Sequence, residues 1–281
     1  MAASFPGGPV GVFDSGLGGL SVLLPLVQLL PGRTFVYAAD QAWCPYGPRP
    51  VTEIRERSIA MSAALLAQRA ALVVVACNTA SSAALAALRE RYPGTPFVGM
   101  EPAVKPAAAQ TRSGHVGVLA TTTTARSERL AKLIDRYGRG VKVHVHVPEG
   151  LVELIEAGVI ESDQTAALLA PVLRRWCMAG VDTVVLGCTH YPFARRTIER
   201  LLGPEVEVID PAPAVARQAA RVLGRTGEGG PGEVASGTGQ ITFLTTGDPV
   251  AFRTAVCRLA GEYVADSASF GKLDAAHLRS T

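Results

Sequence analysis

Two cysteines stand where a sulfur could move a proton. Leu72 to Ala83 reads LVVVACNTASSA, and Thr183 to Ala194 reads TVVLGCTHYPFA. Each stretch opens with an apolar, β-branched run of buried-strand type that stops at a cysteine, Cys77 or Cys188, and continues with small or polar residues. The segment after Cys77 (SSAALAALRERY) has helix-forming composition, so Cys77 is expected between the carboxyl end of a strand and the amino end of a helix. Free backbone N–H groups and a partial positive charge at that position favour a thiolate. Cys188 has His190 two residues on as a local proton partner. Cys77 has no histidine nearby in sequence; Asp14, ending another strand, is its candidate.

A free thiol has a pKa of roughly 8.5, and a shift to about 7 makes roughly half of it available as thiolate near neutral pH. With one thiol on each side of a cleft, one thiolate can take a proton from a carbon while the opposite thiol returns one to the other face. The result is inversion of a stereocentre with no cofactor. Ser15, Asn78, Thr79 and Thr189, with strand-end amides, supply neutral donors suited to a carboxylate and to the charge of an enediolate-like carbanion. Three other outcomes stay open: ordinary buried strand cysteines, acyl transfer by Cys188 and His190, which leaves Cys77 unexplained, and a non-catalytic binder of acidic metabolites.

The elements that must position these groups repeat. Val116 to Thr121 (VGVLAT) echoes Val10 to Asp14 (VGVFD), and the second cysteine stretch follows the first by nearly the same shift. Strand and helix alternate in both halves. This predicts an α/β protein of two similar, pseudo-symmetric domains, each a parallel sheet flanked by helices, with the active site in the cleft between them. Ligands in open α/β sheets collect beyond the carboxyl ends of strands, where Asp14-Ser15, Asp40, Cys77-Asn78-Thr79, the threonines 121 to 124 and Cys188-Thr189-His190 stand. Residues 41–50 (QAWCPYGPRP) are too rich in proline for a ladder and read as a loop presenting Tyr46 and Gly47. We expect residues 1–100 with 210–264 to make the first domain and 101–209 the second. Residues 265–281 are expected to be a frayed tail, and the glycine-rich residues 225–240 a mobile loop.

Composition excludes several classes. The chain has 281 residues, 48% hydrophobic and 18% charged, enough for a substantial core and too apolar for disorder. A formal charge of +3 spread over 27 scattered basic residues does not suit nucleic acid. The lysines (Lys105, Lys132, Lys142 and Lys272) lie in no phosphate cradle, which argues against pyridoxal chemistry. The five cysteines include no C-x-x-C pair, so neither a disulfide framework nor a zinc ribbon is expected, and a reducing compartment fits. The run LSVLLPLVQLL is too short for a bilayer and no charged leader precedes it, so the expectation is a cytoplasmic protein with no membrane contact. DSGLGG fails the G-x-G-x-x-G dinucleotide pattern, because Ser21 stands where the last glycine is needed. His144 and His146 share one strand face without a third ligand, and Glu153 and Glu156 suit a solvent-facing helix, so no metal site is expected.

Five stretches together resemble the glutamate racemase family, within the wider aspartate/glutamate racemase group. They are GVFDSGLGGL (11–20), D-x4-PYG (40–47), VVVACNTASSA (73–83), VLGCTHYP (185–192) and TTGDPVAF (245–252). The resemblance implies cofactor-independent, two-base conversion of L-glutamate to D-glutamate for peptidoglycan, with a homodimer as a possible assembly. By matching position it implies Cys77 and Cys188 as the acid/base thiols, assisted by Asp14 and His190 respectively. It implies substrate contacts from Asp14, Ser15, Pro45, Tyr46, Gly47, Asn78, Thr79, Thr189 and His190, and from Thr121 and Thr124 through a weaker match. Pro148 stands where family members often carry a cysteine; the same alignment puts Glu156 on the family's accessory glutamate, near His190.

Overall fold

The apolar run at Val10–Asp14 forms strand β1, all five residues buried, in a computed structural model that describes residue 5, residues 7–225 and residues 239–273. The chain continues through α1 (Leu20–Leu29), β2 (Phe35–Ala39), a 3₁₀ turn (Gln41–Trp43), α2 (Val51–Ala67), β3 (Leu72–Val75), α3 (Asn78–Arg91), β4 (Phe97–Gly99) and α4 (Val104–Gln110). Next come β5 (His115–Ala120), α5 (Thr122–Ala125), α6 (Glu128–Tyr137), β6 (Lys142–His146), α7 (Leu151–Glu156), α8 (Asp163–Met178) and β7 (Thr183–Gly187). A 3₁₀ turn (Tyr191–Ala194), α9 (Arg195–Leu202), β8 (Glu207–Ile209), α10 (Ala212–Arg225), β9 (Ile241–Thr245), α11 (Pro249–Ala260), α12 (Glu262–Asp266) and β10 (Ala268–Lys272) complete the order.

Every strand pair is parallel, in two sheets ordered β10-β9-β2-β1-β3-β4 and β6-β5-β7-β8. Strands covered on both faces must be apolar on both, which is why their sequences read as unbroken apolar runs. Along β1, Val10 and Val12 point into the core shared with α1, α10 and α11, while Phe13 points into that of α2 and α3. In the second sheet, Leu119, Val184 and Leu186 meet α7, α8 and α9 on one face, and Val116, Val118 and Val185 meet α4 on the other.

Both sheets share a topological feature that places the site. From β1 the chain crosses one way to β2, and from β3 it crosses the other way to β4, so a crevice opens between the carboxyl ends of β1 and β3. The second sheet repeats this between β5 and β7. These are the two places where Asp14 with Cys77, and Thr121 with Cys188, leave their strands.

The frayed tail is corrected for residues 265–273. They finish α12 and form β10, which pairs in parallel with β9, and Leu273 is buried. ASFGK carries no apolar run because β10 is an edge strand with one neighbour, and that hides it from a search for buried strands. Residues 274–281, and residues 226–238 of the expected mobile loop, lie outside the described residues. Helix α4 follows β4, and two helices, α11 and α12, lead from β9 to β10. Among the described residues no helix is long and apolar enough to cross a membrane.

The tail closes an aromatic cluster. Phe243 of β9 stacks on Phe270 of β10 at 5.0 Å between centroids and meets Tyr37 edge-on at 5.7 Å. Phe243 is fully buried, so Phe243→Ala should lower unfolding stability by about 3–5 kcal/mol, read from the denaturant midpoint. A loss under about 1 kcal/mol would mean that this edge of the sheet is not packed as described.

Candidate active site

Asp14 ends β1 with no exposed surface. Its Oδ1 accepts from the Gly16 amide at 2.9 Å and from the Ser15 hydroxyl at 3.3 Å, and its Oδ2 accepts from the Thr189 hydroxyl at 2.9 Å. That last bond crosses between the two sheets' strand ends. Cys77 follows β3 and caps α3: its Sγ accepts from the Ala80 amide at 3.4 Å and lies 3.9 Å from the Ser15 hydroxyl. The helix-end position is as expected, but its effect on the thiol is not. Burial, then the Asp14 carboxylate, push the Cys77 pKa up to about 12; the amide bond and His190 pull the other way and lose, and nearby Cys188 adds to the rise. In this closed site Cys77 is a thiol.

Cys188 leaves β7, and its Sγ lies 3.7 Å from Nδ1 of His190. The opposite ring nitrogen, Nε2, is 2.5 Å from Oε1 of Glu156. Nε2 also lies 3.2 Å from the Gly18 amide, and it cannot donate to one and accept from the other. The shorter contact to a charged carboxylate prevails, so Nε2 carries a proton directed at Glu156. Burial by itself would push the imidazole down, but hydrogen bonds with Cys188, Cys44 and Glu156 and the Glu156 charge hold it well above its ordinary 6.5.

Glu156 does not face solvent; Glu153, one turn earlier, does. Burial would raise the Glu156 carboxyl, yet His190, the Leu17 amide and the Gln41 side chain hold it below 4.5. Oε1 accepts from Leu17 N at 2.7 Å and Oε2 from Gln41 Nε2 at 2.5 Å. Two glycines permit this crossing, because a Cβ on Gly16 would collide with Glu156 and one on Gly18 with His190.

The remaining residues line the same seam. Thr79 and Thr121 share a hydroxyl hydrogen bond of 2.8 Å, and Thr121 donates to Thr124 at 3.0 Å. Gly47 O accepts from the Thr123 hydroxyl at 2.8 Å, fixing the loop that carries Pro45 and Tyr46. Tyr46 donates to Asp40 Oδ2 at 2.6 Å, and Asp40 is held by Arg57 at 2.6 Å and by the Thr246 hydroxyl at 2.9 Å. Pro45, Gly47, Thr121 and Tyr191 also line a cavity of about 340 Å³ beside the seam. Asn78 is buried, and neither polar atom of its amide has a partner. A buried amide with both ends free costs stability unless a ligand engages it.

Sequence reasoning did not anticipate Cys44, Gln41 or the Leu17 amide around Glu156, nor Arg57 and Thr246 around Asp40. Loop closure alone brings them together, and no local pattern announces it. His144 lies on the edge strand β6 and pairs with His115 at 3.2 Å, away from this site.

A closed seam between two parallel-sheet domains, with a thiol, a carboxylate and hydroxyl donors on one side and a thiol and an imidazole on the other, defines a site for carbon-acid chemistry. Residues 18–219 match the Asp/Glu/Hydantoin racemase family. The chain is 49% identical over 251 residues to a glutamate racemase of Roseiflexus sp. (strain RS-1), covering 89% of this chain and 92% of the relative. Among solved structures it resembles glutamate racemase isoform RacE1 from Bacillus anthracis, with a TM-score of 0.83, 30% identity and coverage of 95% of this chain and 98% of that one. It also resembles the Escherichia coli glutamate racemase in complex with L-glutamate and the activator UDP-MurNAc-Ala, with a TM-score of 0.81, 34% identity and coverage of 95% and 98%. The chain belongs to the Asp/Glu/Hydantoin racemase family.

The His190–Glu156 pair yields a pH prediction. His190 is raised, so its contribution is complete below its unfolded pKa and is lost as pH rises through the folded value. Glu156 is depressed, so its contribution is present above its unfolded pKa and is lost as pH falls through the folded value. The ion pair therefore spans neutrality. In Glu156→Gln the His190 ring should titrate at lower pH, followed by ¹⁵N NMR of the imidazole. An unmoved titration would show that Glu156 is not its main charged partner.

Proposed function

We propose that this protein is a cofactor-independent glutamate racemase that converts L-glutamate to D-glutamate with Cys77 and Cys188 as its two acid/base groups. The observation that carries it is that two buried thiols, one from each sheet's crevice, lie near enough for Cys188 to act on Cys77, beside the Asp14–Thr189 bond. The high identity to glutamate racemases and the L-glutamate in the E. coli structure support the choice of substrate.

In one direction the Cys188 sulfur, as thiolate, takes the α-proton, and the electron pair is left on carbon and drawn toward the substrate carboxylate. The Cys77 thiol delivers its own proton to the opposite face. The enzyme then carries its proton on the other sulfur and is poised for the reverse reaction. His190, bonded to the Cys188 sulfur and supported by Glu156, exchanges charge with that thiol; Asp14 holds the proton on Cys77. Asn78, with both amide atoms unpartnered, has the donor and acceptor needed for the α-carboxylate and α-ammonium. Ser15, Pro45, Tyr46, Gly47, Thr79, Thr121, Thr124 and Thr189 complete the substrate cradle.

We place the domain boundaries where the chain passes between sheets, giving residues 1–100 with 210–264 and residues 101–209, with β10 joining the first domain through β9. We further infer cytoplasmic production of D-glutamate for peptidoglycan, and a homodimer, checked by sedimentation.

Purified protein with no added cofactor should racemise L-glutamate, and L-aspartate much more slowly, as followed by circular dichroism. Cys77→Ala and Cys188→Ala should each lose roughly 10²- to 10⁴-fold or more in rate. Single-enantiomer α-proton exchange in D₂O could persist in either variant, but full racemisation in either would rule out the two-thiol mechanism.

A further inference from the structure

Cys44 takes no part in the proton transfers above, yet it is half-buried against the groups that assist Cys188. Its Sγ lies 3.6 Å from Glu156 Oε1, and one donor atom each from Cys44, Glu156 and His190 lie within 4.8 Å of one another. Thiolate, carboxylate and imidazole are the three ligand types that zinc prefers. Bonds of about 2.3 Å to sulfur and 2.0 Å to oxygen put those two atoms roughly 3.5 Å apart around a tetrahedral ion, close to the observed spacing. The support around the ligands is built too. Gln41 Nε2 donates to the second oxygen of Glu156, while Gln41 Oε1 is buried without a partner. Gly16 leaves the space a Cβ would fill. Outer contacts of this kind orient ligands around a metal.

We propose that Cys44, Glu156 and His190 form an inhibitory site for a thiophilic divalent cation, with Zn²⁺ as the test ion, that bridges the two domains. Cys44 comes from the loop after β2, and the other two from α7 and the end of β7. The ion enters where Nε2 and Oε1 now share a proton, spreads that contact, leaves His190 without the charge that supports Cys188 through Nδ1, and pins the seam shut. Charge balances, because one Zn²⁺ replaces two protons, one from the Cys44 thiol and one from the imidazolium, and no net charge is added to a buried place. Asp14, Tyr37, Cys77 and Cys188 are the other titratable groups facing this cluster.

The test uses the full chain with Co²⁺ and Zn²⁺. Co²⁺ should give a near-ultraviolet thiolate-to-cobalt absorption in the wild type and in Cys188→Ala, and none in Cys44→Ser. Zn²⁺ should inhibit wild-type racemisation reversibly, with activity restored by EDTA. With each protein's inhibition measured against its own metal-free rate, Cys44→Ser should need at least about 100-fold more Zn²⁺ for half-inhibition, since loss of outer contacts alone costs about 10- to 100-fold in affinity. Absorption that survives Cys44→Ser, or vanishes in Cys188→Ala, would overturn the proposal, as would its absence in the wild type. Inhibition rests on the racemase function, but the cobalt spectrum does not, so the two can fail separately.

Discussion

Charge that must be buried at a seam between two domains governs this structure. A carboxylate removed from water costs several kcal/mol unless its lone pairs are matched. Asp14 meets that demand with Gly16 and Ser15 from its own side and Thr189 from the other. Glu156 meets it with His190 from its own domain and the Leu17 amide and Gln41 from the opposite one. Neither carboxylate is satisfied by its own domain alone, so each needs the seam closed. The same bonds that close the cleft therefore fix the positions of Asp14, Glu156, Thr189 and His190.

The fold supports this from outside. Parallel sheets place all their strand ends on one side, and reversal of chain direction at β1/β3 and β5/β7 opens a crevice there in each sheet. The loop from Asp40 to Gly47 is not regular structure, but it is not loose. Arg57 on α2 and Thr246 after β9 grip Asp40, Asp40 grips Tyr46, and Thr123 from the second domain holds Gly47.

What sequence carried, and what it did not, divides along a physical line. Apolar runs ending at Cys77 and Cys188 reveal strand ends, because burial on both faces leaves a continuous signature. The repeated VGV stretch reveals the duplication for the same reason. Edge strand β10 has no such signature, and neither does the contact of Cys44 with Glu156, made by residues far apart in the chain. Glu156 looked like a surface residue on spacing alone, since nothing in LVELIE distinguishes its orientation from that of Glu153; matching to the family was what singled it out. The protonation of Cys77 was misjudged because the helix end is local and legible, whereas burial and the Asp14 charge are tertiary and larger.

That imbalance gives the near-symmetric halves different chemistry. Duplicated folds supply two thiols at equivalent strand ends, but their neighbours differ in sign. Cys77 stands beside a carboxylate and Cys188 beside an imidazolium. Under the proposed two-thiol mechanism, one proton is shared between the sulfurs and has to reside on one of them before each turnover. Unlike neighbours settle where it rests: burial and Asp14 hold the proton on Cys77. Two identical environments would leave the resting proton undecided, and two strongly opposed ones would stop the reverse reaction. A single site that works in both directions therefore needs neighbours that differ, but not by so much that either sulfur is locked in one state.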